Sequence, residues 1–180
     1  MSDQRIEQFL ASVERRAYRM ARLATRNDAD ALDIVQDAMM KLAINYGDRS
    51  EEEWKPLFYR ILERRILDWH RRESVRNRWF FWRKGDGDDE DQQDVTENAS
   101  DGGAGNPYAA LAFERSGQAV MEAIEALPLK QQQCFLLRCW EGLSVQETAD
   151  IMGVNPGSVK THAHRALQKL TRVIEHHGHE

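Results

Sequence analysis

The stretch SVQETADIMGVNPGSVKTHAHRALQKL, residues 144–170, carries two helix starts and one helix stop in close succession. Ser144 followed three residues later by Glu147 is the pattern of a capping box, in which each side chain satisfies the other residue's backbone amide. Gly153 supplies the left-handed backbone that ends a helix. Asn155 with Pro156 behind it is a second N-cap, followed by the one residue type that loses nothing at the first helical position. Two helices joined by a glycine turn, each separately capped, make a helix-turn-helix. Wound at about 3.6 residues per turn, the second helix divides into a stripe to be buried (Val159, Ala163, Ala166, Leu167, Leu170) and a polar, mostly basic one (Ser158, Thr161, His162, Arg165, Lys169). In such a unit the second helix enters the major groove. Ser158, Thr161 and His162 are then offered to base edges, and Lys160, Arg165 and Lys169 to bases or phosphates. The competing reading is a three-helix bundle whose polar face merely solvates. Double capping, the glycine turn and small residues at the crossing (Ala149, Ala163, Ala166) favour DNA.

Working upstream, LKQQQCFLLRCW and a helix closed by Leu127-Pro128 complete a C-terminal domain over 107–180. Cys134 and Cys139 lack the CxxC spacing of a zinc or redox site, and an apolar run around them reads as buried thiols. Before this domain lies an acidic strap over 85–106. It holds Asp86, Asp88, Asp89, Glu90, Asp91, Asp94, Glu97 and Asp101, and no Lys or Arg. A segment so poor in apolar residues cannot offset the entropy of ordering itself, so a flexible linker is expected. The chain has 180 residues and a net charge of -5, from 25 basic and 30 acidic residues. Without the eight strap carboxylates the balance is 25 against 22, or +3. An acidic total therefore hides a mildly basic body, which keeps nucleic acid open as a partner.

The N-terminal domain, 1–84, shows helical periodicity throughout. IEQFLASVERRAYRMARLA places Ile6, Phe9, Leu10, Val13, Ala17 and Met20 on one side. ALDIVQDAMMKLAINY is expected to turn Leu32, Val35, Met39 and Leu42 inward, with Asp33, Gln36 and Asp37 outward. A third helix begins near EEEWKPLFYRILERRILDWHRR, with Pro56 expected in its first turn and Trp69 in the core beside Leu62 and Ile66. From Arg60 to Arg83 there are eight arginines against three acids, interleaved with Trp69, Trp79, Phe80, Phe81 and Trp82. Cations for phosphates and rings for unstacked bases are what single-stranded nucleic acid requires. Four aromatics in a row at 79–82 cannot all face inward on a helix, so some are exposed or meet a partner. The architecture expected is all-α: two small helical domains joined by a flexible acidic linker.

No apolar run approaches the roughly 20 residues that cross a bilayer, and the start MSDQRIEQFL lacks the order of a secretory signal. A cytoplasmic protein is expected. His162, His164, His176, His177, His179 and the two cysteines make a metal enzyme or sensor the rival from another class, but His162 and His164 point to different sides of their helix. No metal or cofactor is expected.

Both halves resemble the extracytoplasmic-function sigma factors, small two-domain initiation subunits of bacterial RNA polymerase. DALDIVQDAMMKL is similar to the family's polymerase-binding helix, with Asp33, Gln36 and Asp37 matching. LFYRILERRILDWHRR is similar to the helix leading into promoter melting and minus-ten recognition, with Phe58, Tyr59, Arg60, Asp68 and Arg71 in matching places. Leu127-Pro128, GLSVQETADIMGV and GSVKTHAHRAL resemble the minus-thirty-five reader. Arg64 stands where many members carry Asn, and His162 where Arg is usual.

The resemblance implies a sigma factor that directs promoter recognition and DNA melting without enzymatic activity. The 1–84 domain would bind polymerase and the minus-ten element, with Arg64, Arg71, Arg72, Arg76 and Trp79 on the opened strand. The 107–180 domain would bind the minus-thirty-five element. Core RNA polymerase and promoter DNA are the implied partners, an anti-sigma protein is expected, and the free chain should be monomeric. The family linker runs toward the polymerase active-site cleft, where an acidic chain would mimic nucleic-acid charge. The rival within DNA binding is a stand-alone helix-turn-helix regulator. Such proteins usually dimerise, and no dimerisation helix is evident.

Overall fold

The computed structural model describes residues 2–84 and 117–177, with only the backbone of Ser2, Phe80–Lys84 and His177. The acidic strap and the ring side chains after Trp79 lie outside the described residues. Among these residues every regular element is helical: α1 Ser2–Thr25, α2 Asp28–Tyr46, α3 Glu51–Lys84, α4 Gly117–Glu125, α5 Leu129–Phe135 running into a π-helical turn Leu136–Trp140, α6 Val145–Met152 and α7 Pro156–His177.

Helices α1 to α3 form a three-helix bundle. The predicted face of α1 is buried at Ile6, Leu10, Val13, Ala17 and Met20, and Phe9 packs against Trp54 and Phe58. Asn27 starts α2 by accepting from the Asp30 amide at 2.9 Å. This helix buries Ala31, Ile34, Val35, Ala38 and Leu42. Leu32 departs from expectation: it is 45% exposed. The inward arc of α2 is centred on its alanines with Ile34 and Val35, and Leu32 falls outside that arc. Met39 is only half-buried.

Helix α3 also departs from expectation. Ser50 and Glu53 close its start, the Glu53 carboxylate accepting from the Ser50 amide at 3.1 Å and hydroxyl at 3.0 Å. The helix thus begins at Glu51, which puts Pro56 in the second turn. There the missing N–H costs a hydrogen bond that a first-turn proline would not. Phe58, Tyr59, Leu62 and Ile66 are fully buried. Trp69 is only half-buried, because its indole N–H reaches out to donate to Asp30 Oδ2 at 2.9 Å.

The helix-turn-helix forms as its local signals dictate. The Ser144 hydroxyl accepts from the Glu147 amide at 3.0 Å while the Glu147 carboxylate accepts from the Ser144 amide at 3.1 Å. Gly153 adopts φ 67° at the turn. Asn155 Oδ1 accepts from the Ser158 amide at 2.8 Å, with Pro156 at the first position of α7. Cys134, Ala149 and Val159 make a small cluster at the crossing, with Ala163 against it.

The two halves do not stand apart. One apolar cluster runs from Ile6 and Leu10 in α1 through Phe58 and Leu62 to Ile124, Phe135, Leu136 and Leu170, and α6 packs along α3. The Gln132 amide bridges them from a buried position, donating to the carbonyls of Leu23 at 3.3 Å and Ile124 at 3.0 Å.

Candidate nucleic-acid and polymerase interface

Helix α3 extends past the bundle, and its free length presents two faces. Arg64, Asp68, Arg71, Val75, Arg78 and Trp79 recur at helical spacing along the outer one, and all are exposed. Trp79 is 69% and Val75 55% exposed. Two ion pairs on this length, Arg71 with Asp68 at 3.7 Å and Arg76 with Glu73 at 3.4 Å, are loose and solvated. Ion pairs of that kind contribute little, so the guanidinium groups are available to a polyanion.

The other face of α3 lines a groove against α2. Asp30, Asp33, Asp37, Arg65, Trp69, Arg72, Glu73 and Arg76 surround it, enclosing about 370 Å³. Arg65 Nε meets Asp37 Oδ2 at 2.6 Å. The expected polymerase-binding carboxylates and the expected strand-binding arginines therefore adjoin. Sequence reasoning misses Arg65 because its partner comes from another helix.

Helix α2 carries a further feature on its outward side. Leu32, Gln36, Met40 and Ile44 recur every four residues; Met40 is 61% and Ile44 76% exposed. With Asp33 beside them this is an apolar stripe edged by acid. The spacing is visible in the sequence, but an inward Leu32 conceals it.

On α7, Lys160 is exposed while Ser158, Thr161, His162 and Arg165 are partly so. The Thr161 hydroxyl donates to the Gly157 carbonyl at 3.1 Å. Lys169 reaches back to α5, donating to Gln131 Oε1 at 3.1 Å. Lys169 is nonetheless exposed, so the polar face of α7 is presented from Ser158 to Lys169. His164 is half-buried on α7, and among the described residues no three His, Cys, Asp or Glu converge as metal ligands. His179 lies outside the described residues. No described helix is long and apolar enough to cross a membrane.

Two buried acids lie where the halves meet. Glu141 is 3% exposed; Arg16 Nε is 3.2 Å from its Oε1 and Lys55 Nζ 4.0 Å from its Oε2. Lys55 also donates to the Glu141 carbonyl. Burial, with the Glu141 carboxylate beside it, pushes the Tyr59 hydroxyl well above its ordinary range. Glu63 is 2% exposed, its Oε2 makes no hydrogen bond, and burial alone raises it to about 8. The Cys134 thiol, buried and near Glu63, is pushed up to about 12, which makes it inert as a nucleophile.

A capped helix-turn-helix beside an arginine- and ring-bearing helix defines a DNA-binding protein of the transcription machinery. Similarity to known proteins gives the particular family. Residues 6–76 match the model of sigma-70 region 2, and residues 117–170 that of sigma-70 region 4. The RNA polymerase sigma factor SigV of Bacillus subtilis is 31% identical over 157 residues, covering 87% of this chain and 82% of that one. The RNA polymerase sigma-E factor of Streptomyces coelicolor is 29% identical over 165 residues, covering 91% and 82%. In fold, the chain is similar to the sigma factor RpoE of Bartonella quintana, solved with the anti-sigma factor NepR, at a TM-score of 0.63 and 20% identity over 94% of this chain and 96% of that one. The chain belongs to the extracytoplasmic-function sigma factors of the sigma-70 family, the subunits that direct RNA polymerase to promoters in transcription initiation.

Proposed function

We propose a division of labour among three surfaces of this sigma factor. The stripe Leu32–Gln36–Met40–Ile44, edged by Asp33 and Asp37, docks on core RNA polymerase. Helix α3, with Arg64, Arg71 and Trp79 on its outer face and Arg72 and Arg76 on the groove side, holds the opened strand of the minus-ten element. The first three turns of α7 read the duplex at minus thirty-five through Ser158, Lys160, Thr161, His162 and Arg165. Lys169, exposed on the same face and bonded to Gln131, meets a flanking phosphate. The observation that carries this reading is the adjacency of Asp33 and Asp37, the acidic edge of the α2 stripe, to Arg65, Arg72 and Arg76 of α3, because a polymerase seated on that edge borders the strand held by α3.

Holding unstacked bases needs binding energy and no covalent step, so the chain acts without enzymatic activity. It is expected to be monomeric and to work in the cytoplasm. An anti-sigma protein is a fitting regulator, since a similar fold has been solved bound to one.

Run-off transcription with core polymerase tests the whole. Activity should require core enzyme and fall when Met40 or Arg72 is replaced. Tight promoter binding by the chain alone, unaffected by core, would favour the stand-alone regulator.

A further inference from the structure

Between the two halves lies a polar cluster that the surfaces above leave unused. Lys55, Tyr59 and Glu63 recur every four residues along α3, so they share one face, and that face is turned to the second half. Glu141 meets Lys55 and Tyr59 and receives Arg16 from α1. Glu63 lies near Cys134 of α5. A second contact closes the other end: Arg26 Nη2 donates to the Glu125 carbonyl at 2.9 Å, with its Nε 3.3 Å from the Glu125 carboxylate.

We propose that the second half docks reversibly on the first as an autoinhibited state, latched by Glu141 and opened when Glu63 gives up its proton. The interface combines the shared apolar cluster with ion pairs from half-exposed arginines, so separation exposes apolar surface and needs the charging of buried Glu63 to drive it. The inhibitory part rests on the reading of α3 and α7 as readers of minus-ten and minus-thirty-five DNA. Sites about 25 base pairs apart lie about 85 Å apart along a duplex at about 3.4 Å per pair. A packed body of this size averages about 40 Å across and even α3, at 34 residues, is only about 51 Å long, so the docked form cannot occupy both. Residues 85–116 can reach about 105 Å when extended, enough to permit separation.

The groups around Glu63 leave its charge uncompensated in the docked state. From α5 comes the neutral Cys134 thiol. On its own helix, one turn back, is Tyr59, held neutral by burial. Of the charges on α1 and the loop before α6, Arg16 and Glu141 pair with each other. On α6, Glu147 is committed to its cap and Asp150 to Gln146, and on α2, Asp30 and Asp37 are engaged by Trp69 and Arg65. His70, farther along α3, is held below its ordinary value by burial, against a bond to the Ala24 carbonyl, and stays neutral above pH 7.

The direction of the pH effect follows. Docked Glu63 keeps its proton up to about 8, against an ordinary 4.5; the separated form, wetted, gives it up near the ordinary value. Between those limits the docked state holds one more proton. Docking is therefore strongest at low pH, weakens by up to about tenfold per pH unit as pH rises, and is level above about 8.

The test is small-angle X-ray scattering of the full chain at pH 6.5 and 8.5, with helicity followed by circular dichroism. The wild type should expand at pH 8.5 with helicity kept, Glu63→Gln should stay compact at both, and Glu141→Gln should be expanded at both. Arg16→Gln, at an exposed position, should shift the opening to lower pH and serves if either buried variant fails to fold. A wild-type radius of gyration that does not change with pH, loss of helicity in place of expansion, or Glu63→Gln expanding like the wild type would overturn the proposal. Transcription with core polymerase, run in parallel, separates the two readings. Opening without promoter-dependent transcription would remove the assigned function and leave the latch. Transcription that ignores pH while the chain opens would overturn the inhibitory role.

Discussion

Ser144 and Gly153 show how much of a DNA-reading unit rests on single residues. Replacing Ser144 by Ala leaves the Glu147 amide without its acceptor and should cost about 1 kcal/mol, read as a lower midpoint in urea unfolding. Gly153 has open space where a Cβ would go but φ 67°. Gly153→Ala should therefore cost about 1 kcal/mol from backbone strain alone, and a crystal structure of the variant should show no displaced neighbour. On α7 the roles separate by chemistry, since phosphate contacts position and base contacts specify. Arg165→Ala should weaken binding to all promoters alike, whereas Ser158→Ala or His162→Ala should reorder promoter preference in a run-off competition. Equal losses on every promoter for both kinds of variant would reject that division.

At the scale of elements, the contrast between α6–α7 and α2–α3 is instructive. Every signal that makes the helix-turn-helix acts within four residues, so Ser144, Glu147, Gly153 and Asn155 were legible from spacing. The orientation of α2 was not, because a helix with alanines on one side and leucine or methionine on several can turn more than one arc inward. Leu32 lost that competition to Ala31, Ile34 and Ala38, and the exposed stripe with Met40 and Ile44 is the result. Met40→Asp or Ile44→Asp should reduce the affinity for core polymerase at least about tenfold, measured by competition against a labelled sigma factor, with little change in thermal stability because both side chains are already in water. On α3, Arg72→Ala should lower single-strand affinity and make the dependence of log K on log salt shallower by about 0.7 for each phosphate that Arg72 neutralises. An unchanged salt slope would place that arginine away from the backbone of the strand.

Across the whole molecule, the continuous core and the buried latch tie two separately matched regions together. At pH 6.5 calorimetry should show one cooperative transition, because the halves melt as a unit. Above pH 8, with Glu63 charged and the halves apart, two transitions should be resolved, and Glu63→Gln should restore one. The sequence by itself determined the helical class, the two regions, both caps and the turn of the DNA-reading unit, and the arginine-rich, ring-bearing length of α3. These follow from periodicity and from bonds between near neighbours. Only the tertiary structure decided that Arg65 would meet Asp37, that Trp69 would turn out to Asp30, and that Glu141 would be buried against Arg16 and Lys55. Each joins residues distant in sequence, and what selects such a pair is the solvent excluded between helices, which no local pattern of side chains encodes.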